Sequence, residues 1–202
     1  MKNKLIIVFL ILFKFEAKAE NLIIEAKNIT LDKDKVTTVF ENGVVVRAKN
    51  KTIKSDYVKY DKKKGYLLIK GKIVAEDDKK NIIYSEQAEY FENEQVFKTN
   101  GATNIITSEK YSVEGQDISI DNKKRIIKSD KETIIQDLDG NRISLNNFEY
   151  KVKGNIFRSI GLVKIQDKTE NIYEFSQVYI DTKKKEILGT DIKAFLNHKD
   201  FK

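Results

Sequence analysis

A unit of about thirty residues recurs along this chain, and few folds can accommodate such a period. In the stretch Ile53 to Gly71, IKSDYVKYDKKKGYLLIKG, two apolar-alternating segments flank a charged turn. The pair Val58 and Tyr60 returns thirty residues later as Ala88 and Tyr90, then as Ile118 and Ile120, Phe148 and Tyr150, and Val178 with Tyr179-Ile180. Ile29 and Leu31 precede it. Five positions before each pair stands another apolar residue: Ile24, Ile53, Ile83, Val113, Ile143 and Tyr173. Such a period marks a repeat architecture, where each unit buries its apolar face only by stacking on its neighbours.

Alternation of apolar and polar residues within each unit predicts strands with one buried face. The phase slips once per strand: Ile53 and Ser55 share a parity that Val58 and Tyr60 do not. A recurrent one-residue slip predicts a bulge or corner, with strands bent in register. Glycines at 43, 71, 101 and 161 fall in the second strand of a unit; Lys131 breaks the series, and Gly189 is read as a shorter sixth instance. Glycine there predicts a bulge or a close backbone approach. The Asp- and Lys-rich segments, such as Asp61 to Gly65 and Asp121 to Lys124, are predicted turns, because aspartate side chains close turns. Asp137 to Asn141 lacks the further acidic ligands a calcium loop needs and also reads as a hairpin turn. No helix is predicted beyond residue 19.

Residues 1–19 have the form of a secretory signal: Lys2 and Lys4, the apolar run Leu5 to Phe13, and Ala17-Lys18-Ala19 before Glu20. Cleavage after Ala19 is expected, with an uncleaved anchor as the alternative; 20–202 then forms one repeat domain. The nine apolar residues are too few to span a bilayer. The segment carries four lysines and one glutamate, so the net charge of +7 falls to +4 without it. That modest, dispersed excess is no nucleic-acid signature. With no cysteine there are no disulfides, thiolate metal sites or thiol nucleophile. His198 is the single histidine, and no serine has a base and orienting acid beside it. Glu89 and Glu149 lie between inward residues and should point outward. No GxGxxG or P-loop occurs. The chain is therefore not expected to be an enzyme, and no catalytic residue, metal ligand or cofactor is expected.

What remains is the inner surface. Its predicted members are Ile53, Val58, Tyr60, Ile73, Ile83, Ala88, Tyr90, Ile105, Val113, Ile118, Ile120, Ile143, Phe148, Tyr150, Val163 and Ile165, with Val45 also assigned inward. Two readings stand. One is a structural or adhesive β-solenoid with a dry core. The other is an apolar trough, open along one side, that binds lipid chains. Small residues mixed with large ones (Ser55, Ser85, Ala88, Thr103, Gly115) and tyrosines recurring at one position, where a hydroxyl suits a wet rim, lean toward the trough.

The run Ile53-Lys54-Ser55-Asp56-Tyr57-Val58-Lys59-Tyr60-Asp61-Lys62-Lys63 with Gly71-Lys72-Ile73-Val74 carries a resemblance, as do Ile83-Tyr84-Ser85-Glu86-Gln87-Ala88-Glu89-Tyr90 and Gly161-Leu162-Val163-Lys164-Ile165 with Asn171-Ile172-Tyr173-Glu174. These units resemble the OstA-like family of periplasmic proteins, which comprises LptA, LptC and the amino-terminal domain of LptD. The likeness spans about residues 24–192 and is greatest to the LptD domain. It implies an all-β open jelly roll, two antiparallel sheets folded into a V, with lipopolysaccharide acyl chains carried between them. It also implies a periplasmic location, free or at the outer membrane. The implied partners are other Lpt-type jelly rolls joined by edge-strand addition and the outer-membrane barrel complex. At ~4.8 Å per strand, six repeats of two strands imply a trough of roughly 60 Å. A free-standing LptA-like bridge and the front of an LptD-like chain both fit.

Overall fold

The computed structural model describes residues 22–33, 36–48, 50–181, 183–184 and 186–197, so the predicted signal and His198 lie outside the described residues. The described residues are all β, with no helix. The strands are β1 (Leu22–Glu25), β2 (Asn28–Leu31), β3 (Thr37–Ala48), β4 (Lys51–Asp61), β5 (Tyr66–Asp77) and β6 (Ile82–Phe91). Then follow β7 (Val96–Thr99), β8 (Ala102–Ile106), β9 (Ser112–Gln116), β10 (Ser119–Asp121), β11 (Ile126–Ser129) and β12 (Thr133–Gln136). The last are β13 (Arg142–Leu145), β14 (Phe148–Lys151), β15 (Ile156–Gln166), β16 (Ile172–Asp181), β17 (Glu186–Thr190) and β18 (Lys193–Phe195).

Every pairing is antiparallel, and the chain climbs as a meander of twelve bent rungs. β3, β4, β5, β6, β15 and β16 each form a whole rung. β1–β2, β7–β8, β9–β10, β11–β12, β13–β14 and β17–β18 are rungs interrupted at the bend. One arm of every rung joins a first sheet, which includes β2, β7, β10, β11, β14 and β17. The other arm joins a second sheet, which includes β1, β8, β9, β12, β13 and β18. Twelve strands leave eleven spacings, about 53 Å along the axis.

The bend lies where the parity slips. Register shifts fall between Glu41 and Val44, Lys54 and Tyr57, Lys70 and Ile73, and Ile160 and Val163. Small hydroxyl residues line this seam and bond backbone carbonyls there. Ser85 Oγ donates to the Gln87 carbonyl at 3.2 Å and Thr103 Oγ1 to the Gly101 carbonyl at 3.2 Å. Ser129 and Ser159 donate to the Gln116 and Asn147 carbonyls, both at 2.6 Å. The Gln87 and Gly101 carbonyls also accept the backbone N–H of Asn100 and Asp117, at 2.9 and 3.2 Å, so the corner supplies a nearby acceptor for each small buried hydroxyl.

Gly43, Gly71, Gly101 and Gly161 all sit at this seam with positive φ. At Gly71 (φ 77°) a Cβ would also fall 2.6 Å from an Asp56 carboxylate oxygen. Gly189 is not the sixth member. It lies within β17, and its own reason is the ring of Phe175, which fills the place where its Cβ would be. In that rung Asp191 takes the left-handed turn (φ 53°). Val45 is also reassigned: the shift after Glu41 turns Val44 and Val46 inward and leaves Val45 outward, opposite Lys54. In the last full repeat Val178 and Ile180 face the core, while Tyr179 points out and is exposed.

The charged segments are turns, as predicted. In the first sheet's turns the aspartate caps the loop: Asp61, Asp121 and Asp181 carboxylates accept the backbone N–H of Lys64, Lys124 and Lys184 at 3.0, 2.8 and 2.9 Å. At the second sheet's turns Asp77, Asp137 and Asp167 each accept the N–H of an asparagine four residues on. The amide oxygens of Asn81, Asn141 and Asn171 then accept the backbone N–H of Ser108, Lys168 and Asn197 in the next turn along. The Asp137 carboxylate is thus occupied by its own turn, as the hairpin reading requires. Tyr111 stands where the series would have an asparagine.

Candidate functional site

The inner faces of the two sheets carry two kinds of row. Next to the seam, large and small residues alternate and interlock. In the first sheet Phe40, Val58, Ile69, Ala88 and Thr99 are paired in sequence. In the second, Ser85 pairs with Ile73 and Thr103, and Leu145 with Val163. These residues are buried. Ser85 and Thr103 of the sequence pattern therefore serve the bend. Six predicted inner residues belong here: Val58, Ile73, Ala88, Ile118, Phe148 and Val163. Ile118 is fully buried at a broken rung, where its N–H donates to Thr99 Oγ1 at 2.9 Å.

One step further from the seam, each sheet has an uninterrupted row crossing all twelve rungs. In the second sheet the register links Ile24, Val46, Ile53, Ala75, Ile83 and Ile105, then Val113, Ile135, Ile143, Ile165, Tyr173 and Ala194. In the first it links Leu31, Thr38, Tyr60, Leu67, Tyr90 and Phe97, then Ile120, Ile127, Tyr150, Phe157, Ile180 and Ile187. Ten predicted residues lie in these two mouth rows: Ile53, Tyr60, Ile83, Tyr90, Ile105, Val113, Ile120, Ile143, Tyr150 and Ile165. Thr38 is the one polar member.

Burial along the mouth rows is uneven. Val46, Ile53, Leu67, Tyr90 and Phe97 are buried in a first core. Val113, Ile135, Ile143, Ile165 and Tyr173 are only half-buried. The core itself comes as two clusters, one ending at Phe97 and the other beginning among Ile127 and Leu145. Between them the seam holds Thr99, Thr103, Ser129 and Thr133. A half-buried apolar row on facing sheets forms a groove wall that no side chain of the described residues covers completely.

The rim is polar. The Tyr60 hydroxyl donates to the Glu92 carboxylate at 3.1 Å, and its pKa is raised, first by burial and then by Glu92. The Tyr173 hydroxyl reaches Asp167 at 3.4 Å. Lys51 and Asn122 close the rim at one place: Lys51 Nζ donates to Asn122 Oδ1 at 2.6 Å. Glu89 and Glu149 face outward, as expected. Glu89 accepts from the Tyr66 hydroxyl at 2.7 Å, and burial followed by this bond pushes the tyrosine up to about 12. Glu149 pairs with Arg158 at 3.1 Å. No group of acidic, histidine or cysteine side chains among the described residues is arranged to hold a metal. Sequence reading missed Leu67, Phe97, Ile127 and Phe157, the members contributed by the second strand of each unit. Their signal is parity counted from the tyrosine row across the turn. It also missed Lys51 and Asn122, which nothing local distinguishes.

The chain is similar to LptH of Pseudomonas aeruginosa, the LptA-homologous periplasmic component of the lipopolysaccharide transport device. The identity is 13% over 88% of this chain and 96% of that one, with a TM-score of 0.25. It is also similar to the TCP10 domain of Danio rerio CPAP in complex with a STIL peptide, with 12% identity over 83% of this chain and 97% of that one and a TM-score of 0.21. No protein-family profile matches the chain, and no curated protein matches its sequence. At such identities and scores neither likeness decides a family.

Proposed function

We propose that this protein is a periplasmic lipid-transport module that holds lipopolysaccharide by its acyl chains in the apolar groove and passes it toward the outer membrane. The observation that carries the reading is the pair of mouth rows, apolar but for Thr38, of which the second-sheet row is left half-buried from Val113 to Tyr173 over rungs β9 to β16. Burying a half-exposed apolar side chain against an acyl chain removes apolar area from water at about 25 cal/mol per Å². A row running the length of the molecule can do this at any position along it, which suits a path better than a single pocket. The resemblance of the repeated units to the OstA-like family supports the same reading. It also extends the reading to other jelly rolls of that kind and to the outer-membrane barrel complex as partners. We assign the protein no catalytic role.

The two ends favour strand addition. β2 and β1 at one end and β17 and β18 at the other each pair on one side only within the described residues. Exposed Ile29 and Leu31, and exposed Ile187, Leu188 and Phe195, accompany them. Such edges recruit another strand or are an aggregation hazard. A bridge of the LptA kind and the front of an LptD-like chain both use ends of this sort.

The dry-solenoid reading has an observation of its own, the seam packed to zero exposure at Val58, Ile69 and Val163. Photo-crosslinking separates the two. A photoreactive side chain at Ile143 or Ile165, with Glu89 and Ser119 as outward controls, is placed in the protein expressed with its own leader. Irradiation with lipopolysaccharide should give adducts at the first two positions alone. A folded protein with no adduct at Ile143 or Ile165 has a dry core.

A further inference from the structure

The contact between Lys51 and Asn122 joins residues 71 positions apart. Lys51 opens β4 and shares the inward parity of Ile53, so it extends the second sheet's inner face to its lip. Asn122 follows β10 and shares the parity of Ile120, which places it on the inner lip of the first sheet. The bond therefore runs from lip to lip across the mouth. It links the third rung to the end of the seventh, so the two arms of each rung are skewed along the axis. Where one lysine and one asparagine span the opening, the lips stand about as close as two packed sheets, ~10 Å.

Asn122 is held for this contact. Its backbone N–H and its side-chain NH2 both donate to the Gln95 carbonyl, at 3.1 and 2.9 Å. With the amide NH2 engaged, Oδ1 is the end left for a donor, and the Lys51 ammonium takes it. The neighbouring mouth residues loosen past this place. Val46, Ile53, Leu67, Tyr90, Phe97 and Ile105 are buried, with half-buried Tyr60, Ala75, Ile83 and Ile120 packed among them. Beyond the contact, Val113, Ile127, Ile135 and Ile143 are half-buried in succession, and Phe157 is buried again.

We propose that the Lys51–Asn122 contact is a strap that divides the groove into a closed stretch beneath it and an open stretch beyond, and that it must lift for a lipid chain to pass from one to the other. The proposal rests on the lipid-transport reading above. The contact is suited to lifting: Lys51 is exposed and Asn122 half-buried, and a polar pair at the surface contributes on the order of 1 kcal/mol or less. A lysine ammonium at the lip is also the group an anionic head group would draw away from a neutral amide oxygen.

The test uses the absence of cysteine in the chain. Lys51→Cys and Asn122→Cys are introduced together and joined by a short reducible bis-methanethiosulfonate linker, since the span exceeds the ~6 Å Cα separation of a disulfide. A photoreactive group is placed at Ile120, under the strap, or at Ile143, in the open stretch, and lipopolysaccharide is the probe. Expected is adduct at Ile143 in both states, and adduct at Ile120 that falls at least tenfold when the linker is closed and returns on reduction. Equal labelling of Ile120 in both states overturns the strap while leaving the transport reading intact. No labelling at Ile143 in either state removes the transport reading, and the strap with it. Lys51→Ala, an exposed change that leaves the core untouched, should label Ile120 faster than the unaltered protein; an unchanged rate also counts against the strap.

Discussion

Ile69 and Ile143 are the same residue type on the same inner surface, and truncating each to alanine separates a groove from a dry core. Ile69 sits in the seam row between Val58 and Ala88 and is fully buried. Ile69→Ala removes three buried carbon groups and leaves a cavity that the interlocked rows cannot close, a cost of about 2–5 kcal/mol. Ile143 lies in the mouth row between Ile135 and Ile165 and is half-buried. The same three groups are worth about 2.4 kcal/mol if buried completely, so roughly half of that, about 1 kcal/mol, is lost here, with no cavity term because the site opens to solvent. The assay is urea unfolding of both variants followed by tryptophan-free tyrosine fluorescence and far-UV circular dichroism, comparing midpoints at constant slope. Coincidence of the two probes checks that the transition is cooperative, which a repeat stack does not guarantee. The expected order is Ile69→Ala lower than Ile143→Ala by at least 1 kcal/mol, with lipopolysaccharide labelling impaired only in Ile143→Ala. Equal destabilisation means that the mouth is packed as tightly as the seam, and the groove argument fails.

Gly71→Ala should destabilise by about 1–2 kcal/mol for the left-handed backbone alone, and an added Asp56→Gly should recover whatever part comes from the Asp56 carboxylate; full tolerance in a thermal melt would mean that the corner does not need its glycine. The turn aspartates make the fold acid-sensitive. At Asp61 and Asp121 the backbone N–H groups of Lys64 and Lys124 hold the carboxyl below the usual range, while at Asp137 and Asp167 burial pushes it up but is outweighed by hydrogen bonds, including those from Asn141, Thr169 and Asn171. A folded pKa below the unfolded value of ~3.9 gives stability that is fully present above that value and is lost as pH falls through the folded pKa. Urea midpoints should therefore hold from pH 7 to about 5 and decline below 4, and NMR titration of the four carboxyls should place them below free aspartate; normal titration of all four refutes this account.

The repeat, the strands, the turns and the bend were all legible in the sequence, because each follows from local chemistry repeated every thirty residues. A parity slip such as that between Ser55 and Val58 can only be a change of face, and Asp61 or Asp137 at the end of an apolar run can only close a turn. The inward set was legible too, except where a bulge reset the count, as at Val45. Three things were decided by tertiary structure. Gly189 exists for Phe175, fourteen residues earlier in the chain, whose ring lies over it although the ladder partner of Gly189 is Val178. The separation of inner residues into a filled seam and a half-open mouth depends on how far each lies from the bend, and Ile118 and Ile120 read alike until that distance is known. The strap depends on the skew of two sheets, which brings Lys51 to Asn122 across four rungs. Periodicity fixes what faces inward because side-chain direction is a local property of a strand. How closely two inward faces approach is a property of the whole twisted stack, and no window of sequence contains it.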